Sequence, residues 1–140
     1  MEGSNETAKI KYEKKILILE DDPTFRPIWN YIFTKLDMPI LYDWSSRESE
    51  AEKYLLRSTS DQDEYDLFIS DIFLPGMVTG LDFWHKHEKV LRYKTIIVSS
   101  LEPRKVDRFL GNREYYPFYL RKPLNISECA ETITWIFKHQ

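Results

Sequence analysis

The chain has 140 residues, 42% of them hydrophobic and 31% charged, with a formal net charge of −3. That length suits a single domain with a real core, and the charge gives no basic stripe of the kind nucleic acid requires. No apolar run approaches the roughly 20 residues that cross a bilayer, and the polar start MEGSNETAKIKYEKK lacks the apolar segment of a secretory signal. Cys129 is the only cysteine, which excludes an internal disulfide and fits a reducing compartment, by default the cytoplasm.

Residues 1–13 read as a flexible polar tail and 14–140 as the folded domain. Ile16-Leu17-Ile18-Leu19 is a short unbroken apolar run, the pattern of a strand buried on both faces. Phe25, Ile28, Trp29, Ile32, Phe33 and Leu36 follow at helical spacing. Thr24 is the expected N-cap, which puts Pro27 third in the helix, where the amide has no intrahelical partner to lose. Ile40-Leu41-Tyr42 is a weak second strand. Ser45 and Glu48 suggest a capping box for a helix that buries Ala51, Tyr54 and Leu55.

Leu67-Phe68-Ile69 is the third strand and ends at Asp71. Leu74-Pro75-Gly76 and Gly80 mark a turn, and Leu81 to Leu91 reads as the third helix. Thr95-Ile96-Ile97-Val98 is the fourth strand, and Arg104 to Leu110 a short fourth helix closed by Gly111. Phe118-Tyr119-Leu120 is the fifth strand, and the fifth helix follows Asn125 and buries Ile126, Ala130, Ile133 and Phe137. Strands alternating with helices predict an α/β fold, a doubly wound five-stranded parallel sheet with helices on both faces. There is no internal repeat, no low-complexity tract and no linker toward a second domain.

In such a sheet, ligands bind at the carboxyl ends of the strands, where the strand order reverses. Glu20-Asp21-Asp22, Asp71, Ser99 and Lys122 each follow an apolar run, so the sheet would bring them together. Converging carboxylates repel one another, and a hard divalent cation with oxygen ligands and retained waters, Mg²⁺, resolves the conflict. An ionised Asp, a metal, a lysine and a hydroxyl are the inventory for moving a phosphoryl group onto a carboxylate. Singly, each signal is weak: an acidic cluster can cap a helix, and Asp71 alone could be a turn residue.

The strings ILILEDDP, LFISDIFLPG, IIVSS and YLRKP, in this order from Lys15 to His139, resemble the signature segments of response-regulator receiver domains. The separations also resemble the family's: 50 residues from Asp21 to Asp71, 28 on to Ser99 and 23 more to Lys122. The resemblance implies a flavodoxin-like, stand-alone receiver of two-component signalling. Asp71 would be the phosphoacceptor, Glu20 and Asp21 the acidic pair with Asp21 the direct metal ligand, and the carbonyl of Phe73 a further ligand. Asp22 would serve the helix start or rim. Ser99 and Tyr119 would be the switch hydroxyl and aromatic, Lys122 the phosphate-binding lysine, and Pro123 the residue after a cis peptide.

The implied function is a phosphorylation-dependent switch and not an enzyme beyond its own phosphotransfer and autodephosphorylation. It would take phosphate from a histidine kinase or histidine phosphotransfer protein. It would signal to an unknown output protein through its fourth helix, fifth strand and fifth helix, as a monomer or weak homodimer. The chain departs from the pattern in the longer segment 76–80, in the aromatic-rich 112–117, and in bulky Phe73 and Leu101 at positions that affect dephosphorylation in this family.

Two other readings compete. An unphosphorylated interaction module of the same fold is suggested by those departures. A Mg²⁺-dependent phosphohydrolase is suggested by Glu20-x-Asp22-x-Thr24, although the first acid of that haloacid-dehalogenase-type motif should be Asp and no cap domain is evident. His85 and His87 lie two apart on a helix and make a poor metal pair, and Cys129 reads as core packing. Trp29 and Trp44 suit the core or a sheet face, while Trp84, Tyr115 and Tyr116 are candidates for exposed partner contacts.

Overall fold

Four consecutive apolar residues cannot all face one side of a strand, so β1 (Lys14–Leu19) needs cover on both faces. The computed structural model, which describes residues 13–71, 80–111 and 116–140, supplies it. Ile16 and Ile18 point into one core with α1 (Phe25–Thr34) and α6 (Ile126–Lys138). Leu17 and Leu19 point into a second core with α2 (Glu48–Ser60), α3 (Gly80–Lys86), α4 (Glu88–Leu91) and α5 (Pro103–Leu110). All four are fully buried, each worth about 1.5–3 kcal/mol relative to exposure.

The remaining strands are β2 (Ile40–Ser45), β3 (Leu67–Asp71), β4 (Thr95–Ser99) and β5 (Phe118–Arg121). All pair in parallel in the order β2-β1-β3-β4-β5, the doubly wound α/β sheet expected from the alternation of elements. The chain leaves β1 toward β2 and returns to β3 on the opposite side, so the crevice opens between the carboxyl ends of β1 and β3. Leu19 pairs with Ser70, Asp71 with Val98 and Ser99 with Arg121. Among the described residues, no helix is long and apolar enough to cross a membrane.

Local chemistry differs from expectation at several element ends. Thr24 does not cap α1 with its side chain; instead its N–H and hydroxyl both donate to Asp22 Oδ1, at 2.9 and 2.6 Å. Asp22 therefore builds the turn that starts the helix, and Pro27 is its third residue. The expected capping box is also absent. Ser45 is still in β2, paired with Leu19, and its buried hydroxyl donates to the Ile18 carbonyl at 2.6 Å. The helix starts later, after Arg47, and Glu50 accepts from the Ser46 N–H at 2.8 Å.

The single helix expected over Leu81–Leu91 is two, interrupted at His87. The His87 ring lies tilted against Phe83 with centroids 4.7 Å apart and meets Glu52 of α2 at 3.1 Å, while His85 lies 3.6 Å from Glu88. Trp84 is not a partner contact. It is fully buried in the second core with Phe83 and Phe68, where its large ring removes the most apolar area from water. Tyr116 is exposed, whereas Tyr115 lies outside the described residues, as does the expected tail apart from Glu13. Cys129 is buried and unpaired with another cysteine, its thiol pushed up to about 12 by burial.

At the last helix the expected cap is present: the Glu128 N–H donates to Asn125 Oδ1 at 2.9 Å. Asn125→Ala should lower unfolding free energy by about 1 kcal/mol. Urea denaturation should show a lower midpoint with an unchanged slope.

Candidate functional site

Every polar residue of the crevice is placed by the end of a strand. Glu20 directly follows β1, and its N–H donates to the Ser45 carbonyl at 2.9 Å. Asp71 is the last residue of β3, Ser99 the last of β4, and Lys122 directly follows β5. The Lys122 N–H donates to the Ser99 carbonyl at 2.7 Å, which continues the parallel pairing past β5. The Lys122–Pro123 peptide is cis.

Carboxylate oxygens of Glu20, Asp21 and Asp71 lie within 4.8 Å of one another. Glu20 and Asp71 are buried, and Asp21 is the most open of the three. Lys122 Nζ donates to Glu20 Oε1 at 2.8 Å and to Asp71 Oδ2 at 3.3 Å. Asp22 stands apart from this group, held by Thr24, whose hydrogen bonds keep its carboxyl below the usual range. Its N–H donates to Glu20 Oε2 at 3.1 Å.

The electrostatics are unbalanced. Burial pushes the Glu20 carboxyl up to about 7, with the nearby Asp71 adding to the rise, even though Lys122 and the Asp22 N–H donate to it. Burial works against the Lys122 ammonium too, but Glu20 and Asp71 outweigh it and raise its pKa. One ammonium among three carboxylates leaves a deficit of positive charge, which adds to the effect of burial on Glu20. The donor set is all oxygen and partly open to solvent, which fits a hard divalent cation that retains water ligands.

On the far side of the crevice, Ser99 is buried and its Oγ accepts from the Leu101 N–H at 3.0 Å. The Tyr119 phenol donates to the carbonyl of Ser99 at 3.1 Å and to that of Leu101. Tyr119 is half-buried, and β5 is thereby tied to the segment that follows β4. Phe73 and its carbonyl lie outside the described residues. Phe25 was read from the sequence only as part of the helical stripe, yet its ring face lies 4.0 Å from Lys122 Nζ. The available signal was position: Phe25 opens α1 only four residues after Asp21.

With the geometry established, the chain can be set beside known proteins. No family profile matches the sequence, and no curated protein does either. Solved structures do match. The signal receiver domain of an HD domain-containing protein from Pseudomonas fluorescens Pf-5 superposes with a TM-score of 0.71 at 18% identity, covering 91% of this chain and 89% of that one. A response regulator receiver domain protein from Clostridium thermocellum gives 0.67 at 20%, covering 90% and 95%. The signal receiver domain of a signal transduction histidine kinase from Syntrophus aciditrophicus gives 0.65 at 25%, covering 90% and 91%.

The sheet order, the two helical layers and the acidic crevice define a flavodoxin-like α/β domain. Within that class, the chain has the fold of response-regulator receiver domains.

The raised pKa of Glu20 has a measurable consequence. A divalent cation held by the acidic group would bind the ionised carboxylate, so its affinity should fall as pH drops below about 7 and level off above it. Calorimetric titration with Mg²⁺ in buffers of different ionisation enthalpy should show close to one proton released at about pH 6 and almost none at about pH 8. Glu20→Gln should remove this pH dependence.

Proposed function

We propose that the protein is a phosphorylation-dependent signalling switch that accepts a phosphoryl group on Asp71. The observation that carries this reading is the Lys122 ammonium held between Glu20 and Asp71, with Ser99 at the neighbouring strand end. Glu20, Asp21 and Asp71 would hold Mg²⁺, with the Phe73 carbonyl as a further ligand. When bound, Mg²⁺ would keep Asp71 ionised and neutralise charge on the transferring group.

An Asp71 carboxylate oxygen would attack phosphorus of a phosphohistidine, forming an O–P bond as the P–N bond to the imidazole breaks. Lys122 would pair with one phosphoryl oxygen. The Ser99 hydroxyl accepts from Leu101, which leaves its own proton available for another. Engagement of Ser99 would disturb the segment 99–101, to which the Tyr119 phenol is bonded. Tyr119 thus links the site to the surface of α5, β5 and α6, the proposed output face.

The donor would be a histidine kinase or a histidine phosphotransfer protein. The similarity to the receiver domain of a histidine kinase supports this. The chain would act in the cytoplasm, as a monomer or weak homodimer, with no nucleic acid or membrane partner and with an output protein still to be found.

Incubation with Mg²⁺ and acetyl phosphate should add one phosphoryl group, seen as a single mass increment, and Asp71→Asn should abolish it. Full labelling of that variant would sink the assignment. Partner binding that ignored both Asp71→Asn and removal of Mg²⁺ would favour the interaction module instead.

A further inference from the structure

Lys122 has a third neighbour besides its two carboxylates. A lysine ammonium offers three N–H donors. Here Glu20 accepts at 2.8 Å, Asp71 at 3.3 Å, and the face of the Phe25 ring lies 4.0 Å away. The Lys122 side chain is only 16% exposed. A cation within about 6 Å of an aromatic face is attracted by the ring quadrupole, more strongly where water is excluded. Phe25 is the first residue of α1, and its N–H donates to the Asp22 carbonyl at 3.2 Å. The short segment from Glu20 to Phe25 therefore delivers both the acidic pair and the ring.

We infer that Phe25 is a positioning residue for Lys122, holding the ammonium on the Asp71 side of the crevice. The inference rests on the reading of Asp71 as phosphoacceptor. A cation bound by the acidic group would share the charge of Glu20 and weaken its hold on Lys122. Bond formation would commit an Asp71 oxygen. The ring contact depends on neither carboxylate, so it persists while the carboxylate bonds of Lys122 give way to one with a phosphoryl oxygen. An aliphatic side chain would fill the same space without a quadrupole, leaving the flexible four-carbon stem of Lys122 to swing toward solvent.

Phe25 also packs against the first core, so the test must separate packing from the face of the ring. Three substitutions in the full chain do so: Phe25→Leu, Phe25→Tyr, and a series of fluorinated phenylalanines at the same position. Phe25→Leu should slow phosphorylation by acetyl phosphate at saturating Mg²⁺ about tenfold, and weaken beryllofluoride binding by a similar factor. Phe25→Tyr should stay within about twofold of the unsubstituted protein. Fluorination, which drains the ring face at nearly constant size, should lower both quantities step by step. By NMR, the methylene protons next to Lys122 Nζ should be shifted upfield by the ring and lose that shift in Phe25→Leu. Unchanged rate and affinity in Phe25→Leu, or no graded effect of fluorination, would overturn the inference. No label on the unsubstituted protein, with the upfield shift intact, would remove the phosphoacceptor reading and any role for the ring in that reaction.

Discussion

One ammonium group organises the carboxyl edge of this sheet. Lys122, arriving from β5, bonds to Glu20 beyond β1 and Asp71 at the end of β3, and both acids are buried. Two carboxylates so placed would otherwise bear the full cost of desolvation and mutual repulsion. The lysine offsets part of that cost, while burial and the neighbouring Asp71 still push the Glu20 carboxyl up. Such an arrangement contributes little to stability when compared with an apolar core of the same volume. Its chemistry is that of a site short of positive charge with carboxylate oxygens already converged, a group that could hold a metal ion.

The strand order makes this convergence possible. β1 and β3 are neighbours although they are not consecutive in the chain, and the reversal at β1 opens a crevice at the strand ends. Each polar side chain of the site is the last residue of its strand or lies within two residues past its end. The parallel register then sets them side by side without special loop geometry. Where loops do matter, they act through short-range devices: Asp22 turning the chain into α1, and Ser99 accepting from the Leu101 N–H.

The hydroxyl side of the crevice is tied to β5 by the Tyr119 phenol. Tyr119 reaches the carbonyls of Ser99 and Leu101 from β5, the strand that leads directly into Lys122. The lysine end and the hydroxyl end of the site are thus mechanically joined, with Lys122 also tied through its own N–H to the Ser99 carbonyl. Leu101 supplies both the amide that donates to Ser99 and one of the carbonyls that Tyr119 meets.

Much of this was legible in the sequence because it depends on period and adjacency. Unbroken apolar runs such as Ile16 to Leu19 demand two covered faces, and polar residues directly after those runs must lie at strand ends. The five-stranded parallel sheet, the convergence of Glu20, Asp21, Asp71, Ser99 and Lys122, and the cap at Asn125 follow from those local rules. What the chain did not disclose locally are contacts across elements. Whether Ser45 caps a helix or pairs with β1 was decided by register, because a strand extends as long as its neighbour offers partners. Trp84 went inside because the second core had room for it beside Phe68 and Phe83. Phe25 came to rest on Lys122 because α1 and the end of β5 meet only in the folded sheet, 97 positions apart in the chain. Periodicity can say that a ring faces inward, but only the packed structure can say which charge it faces.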